Sequence, residues 1–288
     1  MDTGYPLHEQ ALDSWLLFVL VVLRVGGLTI FAPFFGGEVF YGRARLMLAA
    51  ALSIIMWPAA TATAVLPENA NELALVVLAS REICLGLAIG FLSSFVFLGA
   101  QLAGEMAGQA IGLSMANVVD PTTDSEVPLI GYVQMNLAML VFIVGKLHLL
   151  VLYIVYLSYD LVPIGVLAPD NLPEPLARAG ILQATDLFHV ALQLGLPVIM
   201  ITLMTNVVEG FVTRTMPQLN IMVLGMPLRM LLGSLVIFFA LPSTVYLLLP
   251  ADWRLTTESV PDGVFGRMLE NLASALGEFA GQPAPRGE

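Results

Sequence analysis

Charge is scarce in this chain. Only 11% of its 288 residues are Asp, Glu, Lys or Arg, whereas a soluble domain carries about 25%. So little charge excludes a soluble monomer, because too much apolar surface would be left facing water. Basic residues are the scarcest: eleven, of which Lys146 is the one lysine, against 22 acidic residues and a net charge of −11. That balance excludes a nucleic-acid-binding face. The one cysteine, Cys84, cannot form an internal disulfide, and its apolar surroundings read as those of a small packed hydrophobe. The three histidines, His8, His148 and His189, are scattered without metal-ligand spacing. There is neither a Walker A loop nor a Gly-x-Ser-x-Gly elbow. No enzyme, cofactor or metal centre is expected. The acidic start, Met1–Asp13, lacks the positive n-region of a cleavable signal peptide, so the first apolar stretch reads as retained.

What is abundant is apolar sequence: 58% of residues are hydrophobic and the mean hydropathy is +0.88. A helix needs about 20 apolar residues to cross about 30 Å of hydrocarbon. Ser14–Phe35, Leu46–Leu66, Ile83–Ala103, Val127–Tyr159, Leu187–Val208 and Gln218–Ala251 qualify. Val127–Tyr159, interrupted by Lys146, is too short for two spans and a loop, so it reads as one very long or broken helix. Pro227 and Pro242 lack an N–H donor and are expected to kink the last segment. The fold expected is all-α: a polytopic integral membrane protein of about six long, kinked hydrophobic helices. Residues 1–251 form a single hydrophobic helical domain in this reading, and residues 252–288 a polar C-terminal tail with an amphipathic patch over Val264–Phe279.

Between the runs, Gly36–Arg45 carries Arg43 and Arg45, whereas Gly104–Glu126 carries only acids. Read as loops, the first is cytoplasmic and the second lies on the far side. Arg24, Lys146 and Arg229 sit within apolar sequence, and two readings stay open. They mark a transport path, or they lie near helix ends, snorkel, or pair with a neighbouring subunit. No carboxylate is expected in mid-segment, with Glu82 placed at a segment start beside Arg81.

The most unusual stretch runs from Gly99 to Pro128. Gly104, Gly108 and Gly112 fall on nearly one helix face, as do Gly86 and Gly90 upstream, and such spacing lets helix backbones approach closely. Leu113, Ser114, Met115 and Ala116 follow, and Asp120–Pro121 is expected to stop any helix. This is either an ordinary packing motif and turn, or a compliant plug. In the second reading small side chains and the adaptable Met115 close an apolar constriction that blocks ions by dewetting.

Ala103–Gly104–Glu105, Gly108–Ala116 and Asp120–Pro121 together resemble the signature of the FliR family. So do Arg214–Thr215–Met216–Pro217–Gln218–Leu219–Asn220, then Leu224–Gly225–Met226–Pro227–Leu228–Arg229 and Gly233, and Arg81–Glu82–Ile83 with Gly86 and Gly90. The likeness covers roughly Ser14–Pro250. It implies a subunit of the flagellar type III protein-export gate in the bacterial inner membrane. The implied partners are FliP- and FliQ-type subunits, FlhB and FlhA, and the implied cargo is unfolded flagellar proteins. Gly108, Gly112, Leu113, Ser114, Met115, Asp120 and Pro121 then match the plug. Gly86, Gly90, Gly104, Arg214, Pro217, Gln218, Asn220, Pro227 and Arg229 are read as helix-packing and subunit-contact residues. One departure is Lys146–Leu147, where the family carries a second glycine before the histidine. The alternatives are the equivalent subunit of a virulence injectisome, and a secondary transporter or ion channel.

Overall fold

Two of the apolar runs, Ile83–Ala103 and Leu187–Val208, become helices that extend well past both of their ends. The computed structural model of the chain describes residues 7–32, 41–65, 71–113, 128–165, 173–216, 218, 221–248 and 264–279. Its helices are α1 (Leu7–Phe31), α2 (Gly42–Thr63), α3 (Glu72–Ile111), α4 (Leu129–Val144), α5 (Leu147–Leu161), α6 (Pro173–Thr215), α7 (Ile221–Leu248) and α8 (Val264–Phe279). Among the described residues five helices, α1, α2, α3, α6 and α7, are long and apolar enough to cross a membrane, and α4 and α5 pass the same test only taken together across their break. The protein is an all-α polytopic membrane protein.

The break falls at Gly145–Lys146. The Gly145 N–H returns to the Val141 carbonyl at 2.8 Å, and Lys146 takes φ +56 before α5 starts at Leu147. Pro227 and Pro242 lie inside α7 rather than at its ends, and Pro58 and Pro197 lie inside α2 and α6.

Both stretches read as loops are partly helical: Gly104–Ile111 belongs to α3, and Arg43 and Arg45 to the first turn of α2. Residues 173–186, outside the apolar runs, begin α6. The glycines and acids that marked these stretches as loops are outvoted by good helix formers such as Ala103, Glu105, Ala107 and Ala110. Pro173 occupies a helix start, where its missing N–H costs nothing. With 40 and 43 residues, α3 and α6 run roughly 60 and 65 Å.

The chain groups into two compact units. The first comprises Met1–Ser94, Lys146–Gln183 and Met268–Glu288, and the second comprises Phe95–Gly145 and Ala184–Arg267. In the first, α2 packs on both α1 and α5, with Phe18 of α1 against Trp57 of α2, and Phe31 of α1 meets Phe91 of α3. Along α8 the apolar Leu272, Ala275 and Leu276 are buried while Glu270 is exposed, which is the amphipathic helix expected over these residues. In the second unit α4 packs on α7, and Phe97 meets Phe142 edge to face. Cys84 corrects an expectation: it is exposed on α3, not packed.

Candidate functional site

In the first unit, α1 and α3 cross where glycines let one backbone lie against the other. A β-carbon on Gly86 would run into the Arg24 carbonyl, one on Gly90 would lie 2.6 Å from the Leu28 carbonyl oxygen, and one on Gly27 would lie 2.8 Å from that of Ile83. This approach brings Arg24 to Glu82. Arg24 Nε donates to Glu82 Oε2 at 2.5 Å, and both side chains are fully buried. The other Arg24 nitrogens close the C-terminal end of α5: Nη1 donates to the Ser158 carbonyl at 3.0 Å and Nη2 to the Val162 carbonyl at 2.9 Å. A cation suits that end, where helix carbonyls lack partners and the dipole is negative. The guanidinium also lies 4.3 Å from the centre of the Tyr159 ring. Arg81 Nη2 donates to the Pro163 carbonyl at 2.7 Å and lies 3.3 Å from Glu82 Oε1.

This cluster overturns two expectations. Glu82 is a fully buried carboxylate within α3, not a group at a segment start. Arg24 neither snorkels nor waits for a neighbouring subunit, since its guanidinium is satisfied within the chain.

In the second unit, α3 meets α4 where two glycines let the helices approach closely. A β-carbon on Gly104 would lie 2.6 Å from Gly131 Cα, and one on Gly131 would lie 2.8 Å from Glu105 Cγ. Gly108 faces Ile130 with ordinary room, 3.7 Å from an added β-carbon. Gly112 does something else: it ends α3. Its φ is +91, its N–H donates to the Gln109 carbonyl at 3.1 Å, and the Leu113 N–H donates to the Gly108 carbonyl at 3.1 Å. Those two bonds are a Schellman closure, which places a left-handed residue just past the helix. The helix therefore stops at Ile111, upstream of Asp120–Pro121. Leu113 packs back on Ala107, Ile111 and Val198, together with Ile130 of α4. Beside them Gln134 Nε2 donates to Thr244 Oγ1 at 2.7 Å. Ser114, Met115, Asp120 and Pro121 lie outside the described residues.

At the α6–α7 end, Arg229 Nη2 donates to Glu209 Oε2 at 2.9 Å. Arg214 is exposed in the last turn of α6, Gln218 is exposed beyond it, and Pro227 is exposed on α7. Pro217 and Asn220 lie outside the described residues. Sequence reading missed Gly27 and Gly131, which face other glycines, and Glu82 and Glu209, which face arginines. For the two acids the usable signal was the arginine set within an apolar run, whose charge calls for a counter-charge there.

A family profile described as "Bacterial export proteins, family 1" matches residues 15–250. The chain belongs to that family. Among curated proteins it is 26% identical to "Flagellar biosynthetic protein FliR" of Bacillus subtilis (strain 168), over 88% of this chain and 96% of that protein. It is 32% identical to the protein of the same name in Escherichia coli (strain K12), over 76% of this chain and 82% of that one. "Yop proteins translocation protein T" of Yersinia pestis is 25% identical over 65% of this chain and 70% of its own length. The two FliR-type relatives are thus matched over 96% and 82% of their own length, and the family profile runs from within α1 to just past α7.

Proposed function

We propose that this chain is a non-enzymatic channel subunit of the flagellar type III export gate. In this reading it sits in the bacterial inner membrane with FliP- and FliQ-type subunits, associates with FlhB and FlhA, and helps pass unfolded flagellar proteins. The observation that carries the reading is the match to flagellar biosynthetic proteins along most of the chain.

A feature of α6 supports a subunit over a free-standing carrier. Phe188, Leu192, Leu196, Met200, Leu203, Val207 and Phe211 are all exposed at three- and four-residue intervals, and the exposed apolar residues begin upstream at Ile181. From Ile181 to Phe211 that is roughly 45 Å of helix, against about 30 Å of hydrocarbon. Lipid tails alone cover such a length only at a tilt beyond the usual 0–40° range. Other helices are the natural cover for the remainder.

The segment following Gly112, including Leu113, Ser114, Met115 and Asp120–Pro121, acts as the plug in this reading. Gly108 is part of its helical root. Gly86, Gly90 and Gly104 serve packing within the chain. Arg214, Pro217, Gln218, Asn220, Pro227 and Arg229, close together in sequence, serve helix packing and contact with neighbouring subunits in this reading.

The test is deletion of the gene in its host, with swimming and filament protein in the medium as readouts. Loss of both, restored by the gene in trans, supports the flagellar reading. Retained filaments and swimming sink it. Loss of effector secretion instead would move the chain to an injectisome, the reading that the Yersinia relative favours.

A further inference from the structure

Glycine is a poor helix residue, so one in a helix interior calls for a packing reason. Gly233 of α7 has one. A β-carbon there would overlap Ile111 Cγ1 and lie 2.8 Å from its Cδ1. Ile111 is the last residue of α3, is 1% exposed, and directly precedes Gly112, where the chain leaves the helix. Its side chain is thus a knob seated in a notch on α7.

The notch is in turn held in register. Gly225, Arg229 and Gly233 are four residues apart and share one face of α7. Gly225 lies against the Glu209 carboxylate, whose Oε1 would be 2.8 Å from a β-carbon there. Arg229 binds the same carboxylate. Glu209 of α6 therefore grips α7 at two successive turns, and the third turn receives Ile111. Sliding α7 by one residue would carry the notch about 1.5 Å along its axis and unseat the knob.

We infer that Gly233 is a positioning residue for the plug: its notch receives Ile111 and fixes the root of the segment that begins at Gly112. This rests on the export-gate reading above. Gly233 touches no cargo. It acts through Ile111, and the Glu209–Arg229 pair sets where the notch stands.

The geometry supplies its own control. With Ile111 cut back to Ala, Cγ1 and Cδ1 are gone, and the nearest remaining Ile111 atom to a β-carbon on residue 233 is Cβ, at 3.4 Å, an ordinary contact. Gly233→Ala alone should clash, and Ile111→Ala/Gly233→Ala should fit.

The experiment uses full-length chain expressed with the rest of the apparatus in the deletion host. It measures passive ion uptake across the inner membrane, filament protein in the medium and chain abundance. Gly233→Ala is expected to raise ion uptake several-fold at unchanged abundance, and the double variant to bring it back toward the wild-type level. A Gly233→Ala gate as tight as wild type overturns the inference. So does a leak that the double variant leaves unchanged. If Gly233→Ala instead depletes the chain, recovery of abundance and tightness by the double variant supports the contact, and no recovery overturns it. Failure of the wild-type chain to restore filament export would strike the export-gate reading itself. Restored export with a tight Gly233→Ala gate would strike only the positioning role.

Discussion

Arg24 and Glu82, 58 residues apart in the chain, meet with Nε donating to Oε2 at 2.5 Å, and neither side chain is exposed. In an apolar protein neither charge is tolerable alone, because an isolated buried ion costs far more than its packing returns. The pair is affordable because Ser158 and Val162 take up the remaining Arg24 donors. The ion pair thereby ties α1 and α3 to the end of α5.

Breaking the pair from one side should therefore be worse than removing it. Glu82→Leu or Arg24→Leu is expected to destabilise the first unit by about 3–5 kcal/mol, while Arg24→Leu/Glu82→Leu recovers a large part of that loss. Chain abundance in membranes and the thermal midpoint in detergent are the measurements. A Glu82→Leu chain as stable as wild type would show that the pair does not hold the unit together.

Glycines in this chain should divide sharply on replacement by alanine. At Gly86 the new β-carbon meets backbone, the Arg24 carbonyl, which cannot turn aside. Gly86→Ala should therefore sharply lower the amount of folded chain. Gly210, inside α6, has nothing within 4 Å. Gly210→Ala should be tolerated or should gain up to about 1 kcal/mol from helix propensity. Equal behaviour of the two variants in a thermal-shift assay would contradict the α1–α3 crossing.

Gly112 should be sensitive through its backbone, not its space. No atom lies within 4 Å of an added β-carbon, but φ is +91. Gly112→Ala is expected to cost about 1–2 kcal/mol, with Gly112→Asn milder because asparagine visits the left-handed region more readily. Gly112→Trp should also disturb sealing or assembly. Ranking the three variants by thermal midpoint and ion uptake checks this, and an alanine variant milder than asparagine counts against the closure.

Lys146 makes the opposite case. It holds φ +56 at the α4–α5 break, a conformation glycine adopts without strain. Lys146→Gly should be neutral or stabilising by about 1 kcal/mol, and Lys146→Val should be clearly destabilising. If Lys146→Gly abolishes swimming while the chain stays abundant, the ammonium group has a role beyond the bend.

Much of the helical layout could be read in advance. Apolar run length marked the spans, Val127–Tyr159 was too short for two of them, and α8 lies where its amphipathic pattern put it. Helix extent could not be read, because Gly104 and Gly108 carry loop chemistry that neighbouring helix formers override. Four-residue glycine spacing marked Gly104, Gly108 and Gly112 alike. Only the neighbours distinguish a backbone crossing, an ordinary contact and a helix end. Cys84 was misread because a run that is apolar all round has no polar face to tell inside from outside. No local pattern pairs Arg24 with Glu82, since their meeting depends on how α1 lies along α3.

The exposed stripe on α6 also bears on how long a chain survives. A subunit made without its neighbours would keep that stripe uncovered, and membrane proteases act on helices left in that state. Assembly would then set copy number: the chain's half-life, followed by pulse-chase in strains lacking one neighbour at a time, should shorten most where the absent neighbour is the one that covers α6.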